Sequence, residues 1–334
     1  LLADGFVGRF NVQGVDYELG LTGSESEVLY TLFDVGDALE TSSFSCAVDD
    51  HEVAIMGLQP ATGHAPEGTP CVQVALDLDA FTVSQFPSTY EAVEWALVTL
   101  AAVDEVYLTE LENGVTLNAD YVHVWEGSDP YEGFVGQAGD MLDAVRDEWA
   151  TNADLASIDR DIVHLMTMRT NTGTGGIAYL GTGCDDYSHV GFSQGMTGET
   201  TYTAGTYAWN VHVVAHELGH NFGAQHTHWC GWNGGPINNC AALEGGVLCA
   251  PYVNAPQAEV GTIMSYCHAI YGGSVTLNFH PVVKAEALVP FFDAAECFGA
   301  CNTFATNAAA YGCTDAAACN YDEVAYVDDG TCAY

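Results

Sequence analysis

The spacing of five histidines constrains this chain more than any other feature. They fall between His212 and His228, although the 334-residue sequence holds only 12 histidines. The run VAHELGHNFGAQHTH (214–228) sets His216 and His220 four residues apart, with Glu217 beside the first. On a helix, residues four apart share a face, so both imidazoles can hold one metal ion. Glu217 can reach a water on that ion without being a ligand itself. Gly223, three residues past His220, can take φ > 0, stop the helix and turn the chain back. That return brings His226 to the same ion. Three neutral imidazoles leave a fourth position open, which marks a catalytic rather than a structural zinc site. The expected chemistry is amide hydrolysis. Zinc lowers the pKa of water to roughly 7, and Glu217 takes the proton and returns it to the leaving amine. The competing account, histidines that only line a core helix, fits HExxH alone but fits the full HExxHxxGxxH poorly. His212 and His228 miss the ligand spacing and are expected to line the helix or the cleft, with His228 in reach of a substrate.

The rest of the chain narrows where such a site would operate. Five Lys+Arg against 45 Asp+Glu give a formal charge of −40, a surface that repels nucleic acid and anionic membrane. It suits salty water or bound cations, where self-repulsion is screened. No run of 18 apolar residues is present, so no helix is expected to span a membrane. The opening LLADGFVGRF lacks a basic start and an apolar middle, so an export leader is expected to lie outside it. The 12 cysteines are even in number, scattered, and without a CxxC pair, which fits disulfides in an oxidised, extracellular protein. Their connectivity cannot be read from the sequence.

Along the chain, residues 1–69 read as short β segments ending in LQPATGHAPEGTP, a loop with three prolines. A boundary is placed there. CVQVALDLDAF then alternates as a strand. Ser88 with Glu91 three residues on is a capping box for a helix through EAVEWALVTLAAVDEVYL. LNADYVHVWEG is a strand and GQAGDMLDAVRDEWATNA an amphipathic helix. DIVHLMTMRT and GGIAYLGTGC are strands, and a helix from about Asn210 carries the histidines. The alternation predicts an α+β fold with an α/β upper part, a mixed sheet of these four strands with helices packed on it. After His226 the chain is irregular until a last helix at PVVKAEALVPFF. Residues 301–334 form a short Cys-rich appendage.

A second motif agrees with the first. GTIMSYC places Met264 38 residues after His226. With HExxHxxGxxH this resembles the metzincin zinc peptidases, which carry a Met-containing turn under the metal. HELGHNFGAQH, with GGIAYLGTGC before it and TIMSYC after it, is similar to the adamalysin/reprolysin branch. CVQVALDLDAF and YVHVWEGSDPY look like that branch too. The resemblance covers about 70–300 and implies a zinc endopeptidase acting on proteins or peptides. It implies an upper subdomain built on a mixed five-stranded sheet with helices and an irregular lower one with the substrate between, near a sheet edge at GGIAYLG, where a peptide can pair as an added strand. It further implies that Met264 floors the site and that Tyr266 is a fourth ligand or oxyanion donor. One departure is Thr227, where adamalysins usually have Asp. Calcium often accompanies the family. Asp77 and Asp129 fall near where its ligands would lie, although a role as plain surface carboxylates is the stronger expectation for both.

The resemblance also gives residues 1–69 a role, as the C-terminal part of a pro-domain. Cys46, in SSFSCAVDD, would then occupy the open zinc position as a cysteine switch. The runner-up is a Cys46–Cys71 disulfide, which repairs the cysteine parity. No Lys or Arg lies between Arg9 and Arg146, so separating the segments would fall to autolysis. The tail YGCTDAAACNYDEVAYVDDGTC resembles a Cys-rich repeat near the C-termini of some secreted bacterial proteins. Its Asp315, Asp322, Asp328 and Asp329 are calcium candidates, though a solvated, disulfide-stapled appendage is the stronger expectation. The whole reads as a secreted, monomeric bacterial enzyme, perhaps marine. The alternative is a catalytically silent zinc-binding or adhesion module on the same fold, against which intact Glu217 argues.

Overall fold

The computed structural model describes residues 70–308 apart from 113, 199–205, 253–257, 259, 272 and 302–304. It also describes the backbone of four front strands and of two-residue strands at 311–312 and 327–328. The tail carboxylates Asp315, Asp322 and Asp329, the side chain of Asp328 and the boundary loop before Pro70 lie outside the described residues.

The central strand explains the layering. β5 (Cys71–Leu78) is buried along its whole length, as a strand covered on both faces must be. Its side chains alternate: Val72, Val74, Leu76 and Leu78 join one apolar cluster, and Ala75 joins the other. Between β5 and its neighbour comes a short helix, α1 (Ala80–Val83), and then α2 (Thr89–Glu110). Ser88 caps α2, accepting from the Glu91 N–H at 3.2 Å as the capping box requires. β6 (Thr116–Val124) and α3 (Ala138–Thr151) follow. α3 buries Met141, Leu142, Val145 and Trp149 on one stripe. Each such burial contributes about 1.5–3 kcal/mol, which far exceeds what a helix this short gains from propensity. β7 (Ile162–Met166), β8 (Gly176–Tyr179), β9 (Val190–Ser193) and α4 (Thr206–Asn221) complete the upper layer.

The sheet core runs β6-β5-β7-β9-β8, parallel except for β8, which is antiparallel to β9. This is the mixed five-stranded sheet expected. β9 escapes the sequence reading because VGFS is four residues long and broken by a glycine. α2 and α4 lie on one face, where the Tyr107 hydroxyl donates to the Ala215 carbonyl at 2.9 Å. α3 lies on the other. Below α4 the chain to about 280 is irregular, held by the disulfides Cys230–Cys249 and Cys240–Cys267.

Both edges of the sheet carry an added strand. Ala305–Thr306 pairs with β6 in parallel, and the disulfide Cys71–Cys301 fastens that segment to the start of β5. This corrects the Cys46–Cys71 alternative, because Cys71 is already paired. A fourth disulfide, Cys184–Cys297, ties the loop after β8 to the end of the last helical stretch. At the other edge, the front segment forms an antiparallel sheet of β1 (Gly8–Val12), β2 (Val15–Leu21) and β3 (Tyr30–Asp34). It then sends β4 (Cys46–Asp49) to pair in parallel with β8. The edge expected to be open at GGIAYLG is therefore covered by the chain itself.

The expectation for Asp77 and Asp129 as surface carboxylates is also corrected. Asp77 is buried between the sheet and α3 and accepts from Trp125 Nε1 (2.8 Å), the Tyr131 hydroxyl (2.6 Å) and Trp149 Nε1 (2.8 Å). Burial pushes its pKa up to about 7, against the lowering effect of those three donors. Asp129 accepts from the backbone of Ala80 and Tyr131 and pairs with Arg169, which also holds Asp79 at 2.6 Å. Both carboxylates are thus occupied by protein donors. Replacing Asp77 by Ala would relieve its desolvation cost but strand three buried donors at about 1–3 kcal/mol each, so the loss dominates. Asp77→Ala is expected to cost about 3 kcal/mol or more, read as a lowered urea midpoint at unchanged slope.

Candidate metal centre

α4 is buried on all sides of its second half, polar residues included. His212, His216, Glu217, His220 and Asn221 have no exposed surface. Such a helix needs partners for its polar groups, and the surrounding loops supply them. Asn221 Nδ2 donates to the carbonyls of Tyr179 (3.0 Å) and Val190 (3.1 Å), binding α4 to β8 and β9. Its last carbonyls are met by the loop after β8, with Gly181 N donating to His220 O (2.8 Å) and Gly183 N to Asn221 O (3.0 Å). Gly223 has φ +84°, and its N–H donates to His220 O at 2.8 Å. The positive φ ends the helix there and reverses the chain.

The reversal brings His226 to His216 and His220. Ring centroids are 4.9 Å apart for His216–His220, 5.2 Å for His216–His226 and 4.7 Å for His220–His226. The three residues each present a ligand atom to one common point, all within 4.8 Å of one another. Each Nδ1 faces an acceptor: Ile263 O for His216 (2.6 Å), Ala224 O for His220 (2.7 Å) and Glu244 Oε2 for His226 (2.8 Å). A carbonyl or carboxylate only accepts, so each Nδ1 carries the proton and each Nε2 keeps its lone pair. Burial, with the neighbouring imidazoles adding to it, holds His216 and His220 well below the ordinary histidine range, hence neutral. His220 Nε2 and His226 Nε2 lie 3.1 Å apart. Two lone pairs that close repel unless a cation stands with them. The donor set therefore fits a divalent ion with nitrogen ligands, and zinc above all.

Several groups named by the sequence can be located relative to the three histidines. Glu217 is buried one residue along from His216, against Gly176 of β8, where a Cβ would overlap its carboxylate. Met264 is buried under α4, and a Cβ on Gly219 would lie 2.7 Å from its sulfur. The Tyr266 hydroxyl is 3.2 Å from His226 Nε2. Cys46 is known here by its backbone position: it stands opposite Gly176 in the β4–β8 register, one strand beyond the residue that touches Glu217. His212 Nε2 bonds the Ile263 carbonyl at 3.1 Å, the same oxygen that orients His216, so its role is to line the helix. The Thr227 hydroxyl oxygen accepts from Asn238 Nδ2 (2.8 Å), and its N–H donates to Met264 O (2.9 Å).

Two features were missed in the sequence. One is Gly176, whose lack of a side chain makes room for Glu217. The other is Glu244, whose oxygens lie 2.8 Å from His226 Nδ1 and 3.0 Å from His228 Nε2. Burial would raise the Glu244 pKa, but the bonds from His226 and His228 outweigh it and hold it far below the carboxylate range. Its distance from the motif, across a disulfide loop, left no local signal.

A mixed sheet above, a helix bearing converging imidazoles, and a methionine turn below define a metallopeptidase of metzincin type. A sequence profile for metallo-peptidase family M12 matches residues 69–276, more than half of the chain, and the chain belongs to that family. Members of the family are zinc-dependent, in keeping with the donor set. In the domain freed of residues 1–69, Gly176→Ala is expected to displace the Glu217 carboxylate and lower peptide hydrolysis about 10²-fold, with bound zinc by elemental analysis unchanged.

Proposed function

We propose that this protein is an adamalysin-like zinc endopeptidase, with His216, His220 and His226 as the metal ligands and Glu217 as general base and acid. The observation that carries the reading is the set of three imidazoles turned Nε2-inward, with a buried carboxylate beside them. Zinc held there supplies a Lewis acid that polarises the scissile carbonyl and makes water acidic near neutral pH. Glu217 takes the proton of the attacking water and hands it to the leaving amine, the two transfers that amide hydrolysis requires. Tyr266, whose hydroxyl lies 3.2 Å from His226 Nε2, is assigned the donor to the oxygen that gains charge in the transition state. Met264, buried against Gly219 of the histidine helix, serves as the floor of the site. The substrates are extracellular proteins or peptides, an assignment compatible with four disulfides and with no described helix long and apolar enough to cross a membrane.

The chain as it stands is read as latent, with residues 1–69 as pro-segment and Cys46 on the metal. Two observations support this. β4 covers the β8 edge on which a substrate strand would lie, and Cys46 is in register with Gly176 beside Glu217. A cysteine on zinc is held as thiolate and leaves no place for water.

In the processed domain, freed of residues 1–69, Glu217→Ala should lower hydrolysis of an unfolded protein substrate about 10²–10⁴-fold. Zinc removal by a chelator should abolish the same activity. An equal rate in the variant and the parent would refute the general-base assignment, and an inert, zinc-loaded, processed domain would point to a binding module. Latency is read by alkylating the native chain with and without chelator. Cys46 labelled only after zinc removal is the expected result; labelling in both conditions would show that the thiol is not on the metal.

A further inference from the structure

Glu244 reaches His226 from outside the histidine motif, and the way it is held there is specific. It lies 18 residues beyond His226, in a loop closed by the Cys230–Cys249 disulfide. Its backbone pairs with the strand-like stretch just after the third histidine. Cys230 N donates to Glu244 O at 2.8 Å, Glu244 N donates to His228 O at 3.3 Å, and Trp229 and Glu244 form an isolated parallel bridge. Gly245 follows with φ +111°, and a Cβ there would press 3.3 Å from Trp229 Nε1. The loop thus turns sharply once the carboxylate is delivered. The two oxygens are then divided: Oε2 takes His226 Nδ1 at 2.8 Å, and Oε1 lies 3.0 Å from His228 Nε2. The rings of His226 and His228 stack, 4.9 Å between centroids and 9° between planes. His228 therefore buttresses both the ring of His226 and the carboxylate that orients it.

The three metal-facing histidines are not held alike. His216 and His220 ride on a helix and bond to backbone carbonyls. His226 stands in the turn after the helix and bonds to a charged side chain. Its orientation is the one that a single side-chain substitution can remove. A carboxylate behind an imidazole also raises the basicity of the distal nitrogen more than a carbonyl does.

We infer that Glu244 is a positioning residue for the metal centre, fixing the His226 ring with Nε2 toward the ion through its Nδ1 proton, with His228 and the Cys230–Cys249 loop as its support. This rests on His226 being a metal ligand, as proposed above. Glu244 touches neither substrate nor metal in this role. It turns the motif's third ligand, the one placed by a loop, into one as fixed as the helical pair.

The test measures zinc affinity of the purified full chain by competition with a chromophoric chelator, for the parent, Glu244→Ala and Glu244→Gln. Unfolding midpoints of the three metal-free proteins are measured alongside. Glu244→Ala should bind zinc about 10–100-fold more weakly. Glu244→Gln, which keeps one acceptor oxygen for His226, should fall between, and the metal-free midpoints should agree. Equal affinity in all three proteins would overturn the inference. So would equal losses in both variants with a matching fall in the metal-free midpoint, which would give Glu244 a packing role. Two zinc ions in the parent, one of them lost with Glu244, would make Glu244 a ligand at a second site. A parent that binds no zinc would remove the peptidase reading itself, an outcome distinct from the others.

Discussion

Three nitrogen lone pairs pointing at one place are the constraint around which the lower half of this protein is arranged. Neutral imidazoles do not gather this way of their own accord: burial alone would favour pairing each N–H with an acceptor and each bare nitrogen with a donor. Here every Nδ1 is committed to an acceptor, two of them backbone carbonyls on different segments and one a carboxylate. That commitment fixes ring orientation before any ion arrives. It also explains why the turn carrying Met264 must pass under α4, because Ile263 O has to reach both His212 and His216. Gly219 lets the turn approach, since a side chain there would meet the Met264 sulfur. The methionine turn is thus tied to the histidine helix by a hydrogen-bond requirement and a steric one.

The upper half serves the same end by rigidity. Asn221 and the carbonyls at the end of α4 are locked into the loop between β8 and β9, so the helix cannot rotate about its axis. Rotation would carry His216 and His220 off the common point together. The buried Asp77, fastened by two indoles and a phenol, fixes α3 and the loop after β6 against the opposite face. Arg169 does likewise for the ends of β5 and β7 through Asp79 and Asp129.

What could be read from the sequence followed from how local each signal is. His216, Glu217, His220, Gly223 and His226 lie within eleven residues, the first three on one helix and the glycine at the turn that returns the last, so their meeting is written in their spacing. Ser88 and Glu91 announce α2 for the same reason. Glu244 is as close to His226 as a hydrogen bond allows, yet its place depends on a disulfide and a turn, neither of which leaves a period in the sequence. Asp77 alternates correctly in β5 and so shares its strand's burial, but the three donors that accommodate it come from the loop after β6 and from α3. Composition alone makes a carboxylate look like surface. Likewise β4 reads as one more short strand, and nothing in CAVD says that its partner is Gly176–Tyr179.

The two added strands also bear on self-association. A sheet grows from molecule to molecule only when both of its edges offer free N–H and C=O groups. On the β6 side, Ala305–Thr306 pairs with Tyr121 and Val122, Asn307 satisfies both the N–H and the carbonyl of Val124, and Asp104 takes the N–H of Leu117. That edge is sealed by a segment which Cys301 anchors to β5. If β4 withdraws, only the β8 edge opens. Pairing through this sheet would then end at two molecules, because its β6 edge is already occupied.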